Sequence, residues 1–236
     1  MLKFISFGSG SSGNCYYLAT EKDALLVDIG VGIRGLKKDC REYGVNLHQV
    51  RHVLITHDHA DHIKSVGSFS HDYGVPVYAT AEVHAGINRN YCVTQKVAPE
   101  QTIVIEKDVP LQIGDFQVTP FAVPHDSSDN VGYFIEANHD VEMVQNGPYP
   151  QFLKERILSA TGHLCNKDCG QALVDNMSEH LRHVWLCHLS EENNHPELAR
   201  KTVESIFNSY GIIAGVDLKL DVLKRNTPTG PFDLVG

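Results

Sequence analysis

The chain has 236 residues, 42% of them hydrophobic and 21% charged. That is enough apolar material for a substantial buried core, and it excludes a disordered or fibrous chain. A formal net charge of −9 leaves no overall basic footprint for nucleic acid, and no apolar run approaches the ~20 residues of a membrane span. The opening MLKFISFGSGSSGN lacks the long apolar region of a secretory signal, and the 6 cysteines are scattered with no CxxC. They read as reduced thiols in a cytoplasmic protein.

In chain order, LKFISF (2–7) reads as a strand and GSGSSGN (8–14) as a Gly/Ser loop. CYYLAT and ALLVDIG form the strands of a hairpin with EKD at the turn. Residues 33–43 read as a helix stopped by Gly44. HVLIT (52–56) is a short continuous apolar run, suited to a strand buried on both faces. Residues 60–73 read as one helix ended by Gly74, followed by the strand VPVYAT and the helix AEVHAGINR. From 102 to 123 the signal is β (TIVIE, LQI, FQVTPFAV) with a Gly-Asp turn at 114–115, and VGYFIEA (131–137) continues it. The second half is more helical: Pro150 to about Ser159, then 167–181, then the buried strand HVWLC (183–187). A helix runs from Pro196 to near Gly211, and VDLKLDVL alternates like a final strand. Strand-rich blocks interleaved with helices predict an α/β protein of two mixed sheets covered by helices, in one domain over 1–236.

Fourteen histidines are an unusual number, and three of them fall in His57-Asp58-His59-Ala60-Asp61-His62. His57 and His59, two apart at the end of a buried strand, point the same way. Asp61 and His62 come where the chain turns into a helix. An N-capped loop explains one aspartate but not three histidines at this spacing. Neutral imidazole with carboxylate suits Zn²⁺, Mn²⁺ or Fe, and two such cations about 3.5–4 Å apart form a hydrolytic clamp.

HDHADH matches the HxHxDH motif, and the sequence here resembles the metallo-β-lactamase-fold hydrolases. The stretches GSGSSGNCYYL, THDHADHIKSVG, IEANHDVEM, YPQFLKERILS, GHL and HLSEENNHPELA are similar to the YycJ/WalJ/VicX group, along most of residues 4–211. The resemblance implies an αββα sandwich, two mixed sheets with helices on the outer faces. It implies two divalent ions: His57, His59 and His125 on one, Asp61, His62 and His188 on the other. Asp28, ending ALLVD, is expected behind the ligands, fixing a histidine through a hydrogen bond. Asp61 and His139 are the expected catalytic residues, and Ser11, Asn14 and Asn138 the expected substrate contacts. The implied activity is a phosphodiesterase, an exonuclease on DNA working 5′ to 3′ through a metal-bound hydroxide. One departure stands out: the strand whose aspartate bridges the two metals in this group has no counterpart, because Phe134 runs straight into Ile135. Two other readings stay open, a hydrolase of a small-molecule ester, thioester or lactam, and a non-catalytic metal-binding regulatory protein.

The remaining features are weaker. His195 before Pro196 reads as a helix cap, and Cys165, Cys169 and His163 as packing plus surface. GSGSSGN lacks the Lys and the following helix of a phosphate-binding loop. The groups Arg34/Lys37/Lys38/Arg41 and Lys154/Arg156 read as solvated helix faces.

Overall fold

The computed structural model describes residues 2–122, 131–132, 136–159, 162–178 and 181–234. His125 and residues 133–135 lie outside the described residues, and so does the junction of Phe134 with Ile135. The chain divides into two compact units, Met1–Tyr133 with Asn226–Gly236, and Phe134–Arg225.

The first unit is built on a seven-stranded mixed sheet. Strands β1 (Leu2–Gly8), β2 (Cys15–Ala19) and β3 (Ala24–Val27) run antiparallel. β3 then pairs in parallel with β4 (Val50–Leu54), β4 with β5 (Val77–Ala79), and β5 with β6 (Thr102–Val104). The parallel half needs crossover helices, and the sequence supplies α1 (Ile33–Glu42), the short α2 (Ala60–Ile63), α3 (Val66–Tyr73) and α4 (Ala81–Arg89). Leu36 and Cys40 of α1, Val66 and Phe69 of α3, and Val83 and Ile87 of α4 share one core with Ile5, Leu26, Val53 and Val77 of the sheet. The three- and four-residue spacings put each pair on one helix face. Each fully buried aliphatic or aromatic side chain there contributes about 1.5–3 kcal/mol. The opposite face is filled too: Phe4 stacks on Tyr16 at 6.4 Å and on Phe232 at 6.1 Å. Hairpin β7 (Leu111–Ile113) and β8 (Phe116–Val118) turns at Gly114, as expected, and β9 (Phe121–Ala122) pairs with β10 (Val131–Gly132).

The second unit begins past β10. Helix α5 (Val141–Asn146) is capped by Asp140, whose side chain accepts from the Met143 N–H at 3.1 Å. Then come α6 (Gln151–Ile157), α7 (Asn166–Asp175), β11 (His183–Leu186), α8 (Pro196–Ser209) and β12 (Lys219–Val222). β11 and β12 are parallel. α8 carries Ala199, Val203 and Phe207 into a core with Cys169, Val184, Leu186 and Leu220. Gly170 makes that packing close: a Cβ there would stand 2.7 Å from Ile206 Cδ1. The expected cap at His195 is present, its Nδ1 accepting from the Glu197 N–H at 3.3 Å.

Four expectations change. The helix read over 60–73 is two helices, because the Ser65 N–H leaves the helical pattern and donates to Ile29 O at 2.9 Å. The strand read over 52–56 is β4 at Val50–Leu54, and its first expected residue, His52, is only half-buried, while Val53, Leu54 and Ile55 are buried as expected. α5 stands in a stretch, 141–146, for which the sequence predicts no element. Finally, β12 is not the last strand: β13 (Thr229–Leu234) follows, antiparallel to β1 at the edge of the large sheet.

Candidate metal centre

The motif residues leave the end of β4 and are gripped from β3. Asp28 sits just past β3 with φ at 59°, the left-handed region that aspartate tolerates better than most residues. That turn aims its carboxylate at the segment after β4. Oδ1 accepts from the Thr56 N–H at 2.9 Å, and Oδ2 accepts from Thr56 Oγ1 at 2.8 Å and from His62 Nδ1 at 2.7 Å. The group is 1% exposed, so these three donors offset the loss of water around the charge.

The same bonds set the imidazoles. A carboxylate only accepts, so His62 carries its proton on Nδ1 and keeps the lone pair on Nε2. Thr56 Oγ1, having given its proton to Asp28, accepts from His57 Nδ1 at 3.0 Å, which points the His57 lone pair at Nε2 as well. The His57 ring centre lies 4.0 Å from that of His62 and 4.7 Å from that of His59. Asp61 Oδ2 stands 3.5 Å from His62 Nε2, and Asn14 Nδ2 lies within reach of both. The donor set therefore fits a divalent cation: lone pairs held forward by bonds behind, with a carboxylate alongside. Gly30 permits the arrangement, because a Cβ there would come within 1.6 Å of Asp61 O.

The second unit repeats the device. Glu136, bridged to Cys187 at the end of β11, accepts from His188 Nδ1 at 2.7 Å, from His163 Nδ1 at 3.1 Å and from the Leu164 N–H at 2.8 Å. Burial opposes its ionisation, but the bonds from His163 and His188 outweigh it and hold the carboxyl far below the usual range. Like Asp28, His188 has a left-handed backbone, φ 54°, and Asn138 Nδ2 donates to its carbonyl at 2.8 Å. One ligand atom from each of Glu136, His163 and His188 lies within 4.8 Å of the others. Glu136 accepts from both Nδ1 atoms, so the Nδ1 edges are already engaged.

His57, His59, Asp61, His62, Asp28 and Asn14 thus come together in the first unit, with Ser11 exposed in the same Gly/Ser loop. His188 and Asn138 are joined in the second. His139 is 1% exposed, and its Nδ1 is buried without a hydrogen-bond partner among the described residues. Burial lowers its pKa below the ordinary histidine value, leaving a neutral ring. Glu136 and His163 were not among the expected site residues, although IEANHD and GHL, which contain them, belong to the stretches that carry the resemblance.

A family model described as a beta-lactamase superfamily domain matches residues 24–144. The Exodeoxyribonuclease YycJ of Bacillus anthracis is 30% identical over 260 positions, covering 97% of this chain and 97% of the relative. The Exodeoxyribonuclease WalJ of Streptococcus pneumoniae is 33% identical, covering 96% of each. An alignment of 260 positions exceeds the 236 residues here, so the relative carries residues without a counterpart in this chain. Among solved structures, the metallo-beta-lactamase fold protein YhfI from Bacillus subtilis covers 97% of this chain and 98% of its own, at a TM-score of 0.61 and 16% identity, a likeness of fold alone. The chain belongs to the metallo-β-lactamase superfamily of hydrolases, in the group that includes the YycJ and WalJ exodeoxyribonucleases.

Proposed function

We propose that this chain is a metal-dependent phosphodiesterase, acting on DNA as an exonuclease from the 5′ end, in the cytoplasm and as a single domain. One observation carries the hydrolytic centre: the buried Asp28 carboxylate on His62 Nδ1, with His57, His59 and Asp61 gathered beside it. The likeness to exodeoxyribonucleases along nearly the whole chain supports a phosphodiester substrate over a lactam or thioester. His57, His59, Asp61, His62, His125 and His188 are the ligands we propose for two divalent ions, Zn, Mn or Fe. Bound there, such ions supply Lewis acidity to the phosphoryl group and to water.

The protein's own groups have separable roles. Asp28 and Glu136 hold protons on Nδ1 of His62 and His188 and so keep the Nε2 edges basic. Asp61 is the catalytic carboxylate. Of the expected substrate contacts, exposed Ser11 keeps that role. Asn14 and Asn138 are buried with their amides engaged, and they act on the site from behind. For the proton delivered to the leaving oxygen, His139 is the expected donor. A second reading, favoured by a specific observation, gives that role to His163 in place of a ligand role: it is 28% exposed, and its Nδ1 is anchored to Glu136.

The test is cleavage of DNA labelled at the 5′ or the 3′ end by the metal-replete chain, beside Asp61→Ala and His59→Ala and with lactam and thioester substrates in parallel. We expect release from the 5′ end and losses of about 10²–10⁴-fold in both variants. Variants that cleave as fast as wild type would show that the chemistry is elsewhere.

A further inference from the structure

The Gly/Ser loop before β2 has the look of turn chemistry, yet its last side chain faces inward. Asn14 is 0% exposed. Its backbone N–H donates to Asp61 O at 2.7 Å, and the Gly30 N–H donates to Asn14 O at 2.9 Å. Loop, strand end and motif are therefore joined through main chain. The side-chain amide is the more informative part. Nδ2 lies 3.1 Å from Gly10 O, 3.2 Å from Asp61 Oδ2, 3.3 Å from Asp61 O and 3.0 Å from His62 Nε2. An amide nitrogen has only two hydrogens. One answers Gly10, and the other is aimed at the edge where Asp61 and His62 meet.

The two ends of an amide have nearly the same shape, so its orientation depends on its neighbours. At the oxygen end stands Tyr16, whose hydroxyl donates to Asn14 Oδ1 at 3.2 Å. That uses the phenolic proton, so Ser9 Oγ, 2.9 Å away, donates to the Tyr16 oxygen. Ser9 and Tyr16 are 0% and 3% exposed. A flipped amide would set Oδ1 against Gly10 O and the Asp61 carboxylate, acceptor against acceptor. The proton direction Ser9 to Tyr16 to Asn14 to Asp61 is the one that satisfies every member, and in a buried chain an unsatisfied member is costly.

We propose that Asn14, oriented by Tyr16 and Ser9, is a positioning residue that holds the Asp61 carboxylate beside the Nε2 edge of His62. The inference rests on the metal-centre reading above and adds to it the part that the Gly/Ser loop plays. Tyr16 reaches the Asp61 carboxylate through Asn14, so removing its hydroxyl should weaken metal binding no further once Asn14 is gone.

The experiment uses the full chain. Zn²⁺ affinity is measured by calorimetric titration for wild type, Asn14→Ala, Tyr16→Phe and the double variant, together with the visible spectrum of the Co²⁺-loaded forms and the melting of the metal-free forms. We expect Asn14→Ala to weaken Zn²⁺ binding by about 10–100-fold. Tyr16→Phe, which removes one oxygen and no carbon, should weaken it less and shift the Co²⁺ bands with little change in metal-free melting. The double variant should bind no more weakly than Asn14→Ala. If Asn14→Ala does not fold, the affinity and spectrum of Tyr16→Phe decide. Wild-type affinity and spectrum in Tyr16→Phe, or additive losses in the double variant, would overturn the inference. A wild-type chain that binds no Zn²⁺ overturns the metal-centre reading, and this inference with it.

Discussion

A carboxylate on imidazole Nδ1 decides which ring nitrogen keeps its lone pair, and Asp28 does this for His62 through a 2.7 Å bond. Asparagine has almost the same shape and also tolerates the left-handed backbone at φ 59°. In Asp28→Asn, however, an amide N–H can face Nδ1, which would drive the proton onto Nε2. We predict that Asp28→Asn keeps the fold and loses about 10–100-fold in metal affinity, read by titration. Unchanged affinity would mean that the bond does not set the tautomer. At this scale the sequence is most legible where candidate ligands crowd together, since HDHADH and the strand-ending Asp28 stand out by type and spacing. Glu136 and His163 were harder to see. They are 27 positions apart, and a glutamate at the end of a strand looks like any solvent-facing residue until the fold brings His188 to it.

Among the elements, periodicity located most helices but not the break at 64–65, because nothing local signals it. The Ser65 N–H is drawn to Ile29 O by the end of β3, a tertiary bond that wins over helical continuity. α5 is only six residues long, too short to show a period. β13 contains Gly230 and Pro231, which interrupt a strand pattern in the sequence; a sheet-edge position tolerates both. The approach of the β3 end to α2 gives a test by substitution. A Cβ on Gly30 would come within 1.6 Å of Asp61 O, a backbone atom that cannot yield cheaply, whereas one on exposed Gly35 in α1 meets nothing within 4 Å. Gly30→Ala should destabilise the metal-free protein by about 1–3 kcal/mol through overpacking. Gly35→Ala should stabilise it by about 0.5–1 kcal/mol through helix propensity. Urea unfolding measures both, and equal effects would contradict the close approach.

For the whole molecule, the second unit leaves the first after Tyr133 and returns at Asn226. No long low-complexity linker marks either point, and the Pro/Gly-rich NTPTGP (226–231) runs straight into β13, so the sequence reads as one continuous domain. The first crossing also lies beside the junction of Phe134 with Ile135, where the group resemblance expects a strand carrying the aspartate that bridges two metals. The relative's alignment, longer than this chain, fits a loss of residues somewhere along it. If the loss includes that aspartate, the centre lacks one negative ligand shared by both cations. Two positive charges at about 4 Å repel strongly in a poorly screened site, and a shared anion is what offsets that repulsion. In the two-ion centre we propose, the first cation would bind the histidine-rich set much as in a complete centre, while the second would bind against uncompensated repulsion. We predict two separated events in a metal titration of the full chain, the second at least about tenfold weaker, which corresponds to 1.4 kcal/mol. DNA cleavage should follow the second event: silent when one equivalent is bound, rising with added metal, and abolished by a chelator. Two equally tight events, or full cleavage at one equivalent, would show that another carboxylate of this chain has taken the bridging place.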